Sequence, residues 1–496
     1  MNGNRGQTTI FFSLMISVLF LFTLTSLEAG RIYMSRVKVR TAVHSACSNL
    51  MADYHSELFE RYHLLFLDPT YGTGSEAAVE EKLADYLECD LNVEDGPTIY
   101  QFTLDELAAI SQDPILEDNM EFLRQQIVEY EKTEGLVHKA DGLKAKMQED
   151  NSDVEGAARE TEINGVEFPE SENTDEEHGK KQSSSEVSDP RDLLTDGLKN
   201  GLLAFVLPGD QSISKESYAI NDPPSRLYQE QEEKKRDSSF QDIHSLKDLL
   251  KEAAGEKSYS GLVEQAAFVD YVGSLFGNAV NPDEASVIQC EVEYILKGKD
   301  SDYENLQAVV EELTWIRMPV NYAYLLSDTK KKSEALTLAA AICTATGTEP
   351  MMEVVKYLLL GCWSYGETIY EMRQLLSGEA IAYVKTQETW NTDLKTLSGT
   401  GTTAKVEHGM QYEDYLMLLL AKKSGKHLTC SYARMLDLIG CNLQKEDEDF
   451  HIADCVGGMV IQGEISVNPL FQKGRETSVY QTCFEERFSY APSESP

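Results

Sequence analysis

The most regular hydrophobic pattern in the chain is its opening. From Thr8 to Leu27 no residue carries a charge. At 1.5 Å per helical residue, this run of about twenty spans ~30 Å, the hydrocarbon thickness of a bilayer. It exceeds the ~7–15 apolar residues at the centre of a secretory signal, and Glu28 is out of place beside a cleavage site. A retained transmembrane helix is expected in preference to a removed signal. Helical spacing then continues: Val39, Val43, Cys47, Leu50, Tyr54, Leu58, Tyr62 and Leu65 recur every three or four residues on one face. No Pro or Gly interrupts Arg31 to Leu67, and Asp68-Pro69 followed by Gly72-Thr73-Gly74 stops the pattern. The spacing predicts a membrane span continuous with a long stalk helix. Its apolar stripe would pack on the protein's own folded part or on neighbouring subunits.

Further along, Ala77 to Leu91, Leu104 to Ile110 and Leu116 to Met147 read as helices. Leu193, Leu194, Leu198, Leu202, Leu203 and Phe205 mark another, and Leu262–Phe276, Asn305–Leu326, Ser333–Thr346 and Met351–Leu376 follow. The stretch Ala335 to Thr346 is too short to cross a bilayer, and Met351–Leu376 is too charged, so both read as core. Cys290–Leu296 alternates like a short strand. Val456–Val467 and Thr477–Tyr490 alternate and are rich in β-branched and aromatic residues, which predicts a small terminal sheet. The fold class is mainly α with a small C-terminal β part, an α+β chain. Its divisions read as leader and transmembrane helix over 1–30, stalk over 31–70, and a helical region over 71–147. An acidic disordered loop over 148–192 precedes a mainly helical domain over 193–445, with a polar loop near 222–242, and a β-rich end over 446–496.

Composition sharpens this picture. The 496 residues include 84 acidic and 44 basic side chains, a net charge of −40. Phosphate backbones are held by clustered Lys and Arg, so nucleic acid is not expected as a partner. With 42% hydrophobic residues the chain as a whole can build a core. Glu149 to Asp189 is different: fourteen acidic residues against three basic ones, with few apolar groups, cannot offset chain entropy. No Asp-x-Asp-x-Asn-Gly spacing there suggests a calcium loop.

The search for chemistry returns mostly absences. There is no phosphate-binding Gly-x4-Gly-Lys-Ser/Thr, no His-Glu-x-x-His, no Gly-x-Ser-x-Gly and no Cys-x-x-Cys. Gly72-Thr73-Gly74 reads as a turn. His55 and His63 read as solvent-facing. Glu353, Glu367 and Glu371 on one helix read as solvated, or as paired with Arg373 or Lys356. The nine cysteines are consistent with buried thiols, or with one or two bridges among Cys430, Cys441, Cys455 and Cys483. No catalytic residue, cofactor or metal site is expected, and the chain reads as no enzyme.

Arg5-Gly6-Gln7 before the span, Glu28-Ala29-Gly30-Arg31 after it, and the following Ala42, Ala46 and Cys47 resemble the TadE/TadG-like proteins. Those are pseudopilins of the tight-adherence (Flp, type IVb) pilus system, and the resemblance covers about the first fifty residues. Tyr62-His63-Leu64-Leu65-Phe66 and Trp363-Ser364-Tyr365-Gly366-Glu367 resemble a larger Gram-positive envelope-protein family from such loci. The resemblance implies processing between Gly6 and Gln7 and an interface at Glu28, Gly30 and Arg31. It also implies a large domain outside the cell, and as partners the membrane and other pilin-like or pilus-assembly proteins, with oligomerisation through the N-terminal helix. One departure concerns Phe11, which occupies the position where pilin-like helices carry a glutamate that meets a neighbour's amine. Without that buried carboxylate, polymerisation as a major pilin is not expected. Orientation is contested: Arg5 alone precedes the span, while Arg31, Arg36, Lys38 and Arg40 follow it, which by charge counting would put the large domain inside. Two other readings stay open, an envelope enzyme without a recognisable motif and a cytoplasm-facing sensor or scaffold.

Overall fold

The computed structural model describes residues 4–75, 77–91, 99–134, 202–207, 213–220, 223–228, 259–395, 397, 409–470 and 479–490. The chain forms two compact units, Met1–Tyr130 with Ile439–Pro496, and Glu131–Leu438. As the pattern predicts, the chain is mainly helical with a small antiparallel sheet. The expected acidic loop over 148–192 lies outside the described residues. So does most of the polar loop near 222–242, of which 223–228 form a turn. Of the helix expected around Leu193 to Phe205, one turn at Leu203–Val206 is described.

In the first unit, α1 (Asn4–Ala52) is one unbroken helix. The expected stalk does not run on to Leu67. It stops at Ala52, and a separate short helix, α2 (Ser56–Tyr62), follows. The Asp53 carboxylate draws the chain out of the helix by accepting from Tyr86 Oη at 2.8 Å and Tyr71 Oη at 3.2 Å. His55 then starts α2 by accepting from the Leu58 N–H through Nδ1 at 3.2 Å, and His63 ends it in the left-handed region at φ 56°. The Gly72-Thr73-Gly74 segment is the expected turn, with both glycines at positive φ.

Helix α3 (Ala77–Leu91) buries Val79, Leu83, Leu87 and Leu91 at four-residue spacing. Next comes β1 (Phe102–Pro114), where the sequence pattern predicts a helix over Leu104 to Ile110. The pairing partner explains the difference. β1 runs antiparallel to β2 (Val456–Val467), with Phe102 opposite Val467 and Ile110 opposite Val460. β2 in turn pairs with β3 (Tyr480–Ser489). A ladder to a distant strand outweighs the strong intrinsic helical propensity of Leu107-Ala108-Ala109. The sheet order is β1-β2-β3, so the β part joins both ends of the sequence and is not confined to the C-terminus. One face packs on α1 and α3: Val39, Val43, Ala46 and Leu50 share a buried core with Met459 and Ile461. The stripe read from the sequence thus packs on the protein's own sheet. Of the helix expected over Leu116 to Met147, α4 (Glu121–Glu134) forms, whereas Glu117–Met120 is a 3-10 segment broken by the left-handed Asp118 and Asn119, and 135–147 lie outside the described residues.

The second unit contains α5 (Tyr259–Leu275), α6 (Glu291–Lys297), α7 (Asp302–Ser327), α8 (Thr329–Thr346), α9 (Met352–Leu376), α10 (Tyr412–Lys422) and most of α11 (Lys426–Leu443). Cys290–Leu296, expected as a strand, is helical in α6. Its alternating glutamates are not on a wet face: Glu291 and Glu293 are both buried. Asp328 caps α8 through bonds from the Lys330 and Lys331 N–H groups, and Gly347 ends it at φ 71°. Leu325, Ala335, Ala339, Leu359, Leu360 and Trp363 pack α7, α8 and α9 together.

Candidate functional site

The first candidate is α1 itself. Among the described residues it holds the one helix long and apolar enough to cross a membrane, Thr8–Ala52. Along Ile10 to Phe22, large side chains such as Phe11 and Phe22 are more than half exposed, whereas Val39, Val43, Ala46 and Leu50 are buried. The helix is therefore two objects in series, a bare apolar rod and a core element of the first unit. Gly6 and Gln7 lie in its first turns.

The two regimes meet at Glu28 and Arg31. Arg31 Nη2 donates to Glu28 Oε1 at 2.7 Å, and Arg31 Nε donates to the same oxygen at 3.3 Å. Nη2 also reaches Asn468 O at 2.7 Å, while Nη1 reaches Ile99 O at 3.1 Å. The guanidinium sits 5.8 Å over the Tyr100 ring, and the Leu470 N–H points to Glu28 Oε1 at 3.4 Å. Arg31 is only 5% exposed. Two of the residues expected at an interface, Glu28 and Arg31, thus also make contacts within the chain. An arginine has five donors in a rigid fork, so one side chain can hold a carboxylate and two backbone carbonyls together. Glu28 Oε2 is buried with no hydrogen-bond partner among the described residues. Gly30 differs, since a Cβ there would meet nothing within 4 Å.

The second candidate is a charge cluster inside the second unit. Glu367 and Glu371 are neither solvated nor paired with Arg373 or Lys356. Both are fully buried. Arg317 of α7 makes a two-pronged pair with Glu371, at 2.7 Å and 3.1 Å, and donates to Tyr383 O and Ala382 O. Lys385 Nζ donates to Glu367 Oε1 at 2.6 Å and Thr389 O at 2.9 Å, and lies 2.9 Å from Glu371 Oε1. Glu367 Oε2 also accepts from the Thr392 N–H at 2.9 Å and hydroxyl at 2.7 Å. Two cations and two anions thus neutralise one another while tying the coil from Ile381 to Leu394 to α7 and α9. Burial alone would raise Glu371. The Arg317 guanidinium and Lys385 ammonium outweigh it and hold the carboxyl down at about 2. Only Glu353 follows the expectation, pairing with Lys356. The sequence does hold a signal for the cluster: Glu367 and Glu371 continue the same helical face as Leu360 and Trp363.

A third group is purely acidic. Glu291 accepts from the Gly277 N–H at 2.7 Å, Glu293 from Tyr412 Oη at 2.7 Å, and Asp302 from the Cys290 N–H at 2.9 Å. Burial pushes Glu293 up to about 7, against the opposing bonds from Ala279 and Tyr412. These carboxylates serve as backbone caps in a dry core. Among the described residues no group of three or more His, Cys, Asp or Glu is arranged to hold a metal ion. No disulfide joins any of the nine cysteines, so the bridges considered among Cys430, Cys441, Cys455 and Cys483 do not form. Cys455 is buried and Cys483 exposed. His55 and His63 are half-buried and not solvent-facing: His55 lies 4.4 Å from the Phe450 ring, and His63 stacks on Tyr130 at 4.6 Å.

A family model matches residues 180–467, more than half of the chain. The chain belongs to this family of unknown function, DUF5702. No curated protein and no solved structure matches it. The DUF5702 match takes in Arg317, Glu367, Glu371 and Lys385 together with β2, and leaves Glu28 and Arg31 outside it.

Proposed function

We propose that this DUF5702 protein is a membrane-anchored, surface-exposed, pseudopilin-like structural component of a tight-adherence (Flp, type IVb) pilus or a related secretion apparatus. The observation that carries this reading is the division of α1 into a bare apolar half and a half built into the sheet's core. A stiff helix of that kind transmits the position of the bilayer directly to a folded body, which suits a subunit of an assembly. The TadE/TadG-like residues Gly6, Gln7, Glu28, Gly30 and Arg31 support the same reading. A structural role also accords with the charged groups of the second unit, which are spent on one another and on backbone. Phe11 stands where a pilin-like helix would carry a glutamate, so the protein serves as a minor or accessory subunit beside other pilin-like helices and does not self-stack into a filament. The large domain lies outside the cell. Charge counting argues otherwise, but one of its four cations, Arg31, is already neutralised by Glu28.

The experiment is co-purification of the full-length protein with pilus-assembly proteins after mild cross-linking of native membranes. Recovery with pilin-like partners supports the proposal. A protein recovered alone in every preparation contradicts it, and homopolymeric filaments from this chain alone overturn the argument from Phe11.

A further inference from the structure

Arg31 holds two backbone carbonyls, those of Ile99 and Asn468, at the level where α1 leaves its uncharged run. The segments bearing these carbonyls present apolar side chains to the outside: Ile99 is 57% exposed and Leu470 is 39% exposed. The outer face of α1 at the same level is also apolar, with Tyr33 68% and Met34 56% exposed. We infer that this collar of Ile99, Leu470, Tyr33 and Met34 rests in the headgroup layer of the bilayer, a second lipid contact beside the span. The inference rests on the reading of α1 as a membrane helix.

Height decides the occupant. The hydrocarbon core of ~30 Å lies within a bilayer of ~40–45 Å, which leaves roughly 5–7 Å of headgroup layer on each side. Glu28 is the first charge after the run that begins at Thr8 and so marks the hydrocarbon boundary. Arg31 lies about 4.5 Å further along the helix and Tyr33 about 7.5 Å. Segments tied to Arg31 therefore sit inside the layer, and Tyr33 at its outer edge, a level where tyrosine is enriched. Helical side chains lean toward the N-terminus, so exposed Arg36 inclines back toward the lipid phosphates. A chain of net charge −40 gains nothing from an anionic surface as a whole, so the contact is apolar and zwitterionic lipid suffices. Glu28 and Arg31 act as positioning residues that set the collar at this height.

The test uses full-length protein with Ile99→Trp or, separately, Leu470→Trp, reconstituted in phosphatidylcholine vesicles with and without bromine on the upper acyl chain. The native Trp315, Trp363 and Trp390 give the background, measured in the unsubstituted protein. The added indole is expected to emit to the blue of an aqueous one and to lose at least half its intensity in brominated vesicles. An unquenched added emission in protein that withstands alkaline carbonate washing overturns the collar while leaving the span intact. A blue-shifted but unquenched emission overturns it too, because protein and not lipid then covers the site. Release of the protein by carbonate removes the span on which the inference rests.

Discussion

Replacing Lys385 by Met removes one cation from a dry cluster while keeping most of the side chain's volume. The Lys385 side chain is 2% exposed, and its ammonium faces Glu367, Glu371 and the Thr389 carbonyl. Glu371 would keep Arg317, but Glu367 would be left as a buried anion held only by N–H and O–H groups. Stranding one member of a buried pair costs about 3–5 kcal/mol. That is a large part of the ~5–15 kcal/mol that holds a typical domain together. The assay is urea unfolding of the full-length protein in detergent, followed by tryptophan emission. All three tryptophans, Trp315, Trp363 and Trp390, lie in the second unit, so the signal reports that unit alone. Adding Glu367→Gln removes the stranded charge and keeps its acceptor oxygen, so the double variant is expected to regain about 1–3 kcal/mol. A loss below about 1 kcal/mol for Lys385→Met, or strict additivity in the double variant, would show that water reaches the cluster and the reasoning is wrong.

Protonation gives a second set of outcomes. Glu371 is held low, so its contribution is present above the ordinary carboxylate range and is lost as pH falls toward about 2. Glu293 is raised to about 7, so its contribution is present at pH 4 and lost as pH rises through 7. Glu293→Gln is therefore expected to gain on the unsubstituted protein by roughly 3 kcal/mol between pH 4 and 8, and parallel stability curves would refute this. Gly463→Ala places a Cβ 2.7 Å from the Glu106 carbonyl oxygen, which is backbone and cannot turn aside; a fall of several degrees in the melting temperature of the first unit is expected, and an unchanged one contradicts it. Alkylation of unreduced protein should label nine thiols when unfolded, with Cys89 and Cys483 reacting first in the native state; a lower total would reveal a disulfide.

What was legible in the sequence follows from how far apart the partners are. The span, the stripe from Val39 to Leu50 and helices α7, α8 and α9 carry their evidence within a few turns, and local periodicity is enough. Leu104 to Ile110 is a strand because its ladder partner, β2, begins at Val456. Glu291 and Glu293 mimic the wet positions of an alternating strand, yet Gly277 and Tyr412 supply their bonds in the core. Glu367 and Glu371 follow the same rule: Arg373 and Lys356 are near in sequence, yet the cations that hold them are Lys385, 18 residues from Glu367, and Arg317, 54 residues from Glu371. At the membrane end, Glu28 and Arg31 were legible as a pair three residues apart on one helical face. Their hold on Ile99 and Asn468 depended on tertiary structure.

In the proposed arrangement α1 anchors the chain and both folded units lie outside the cell. The most direct measurement is protease treatment of intact cells, followed by detection of the second unit and of α1. The second unit is expected to be digested while a small fragment containing Thr8 to Leu27 stays in the membrane. A second unit that survives on intact cells and is digested only after the membrane is opened would contradict it.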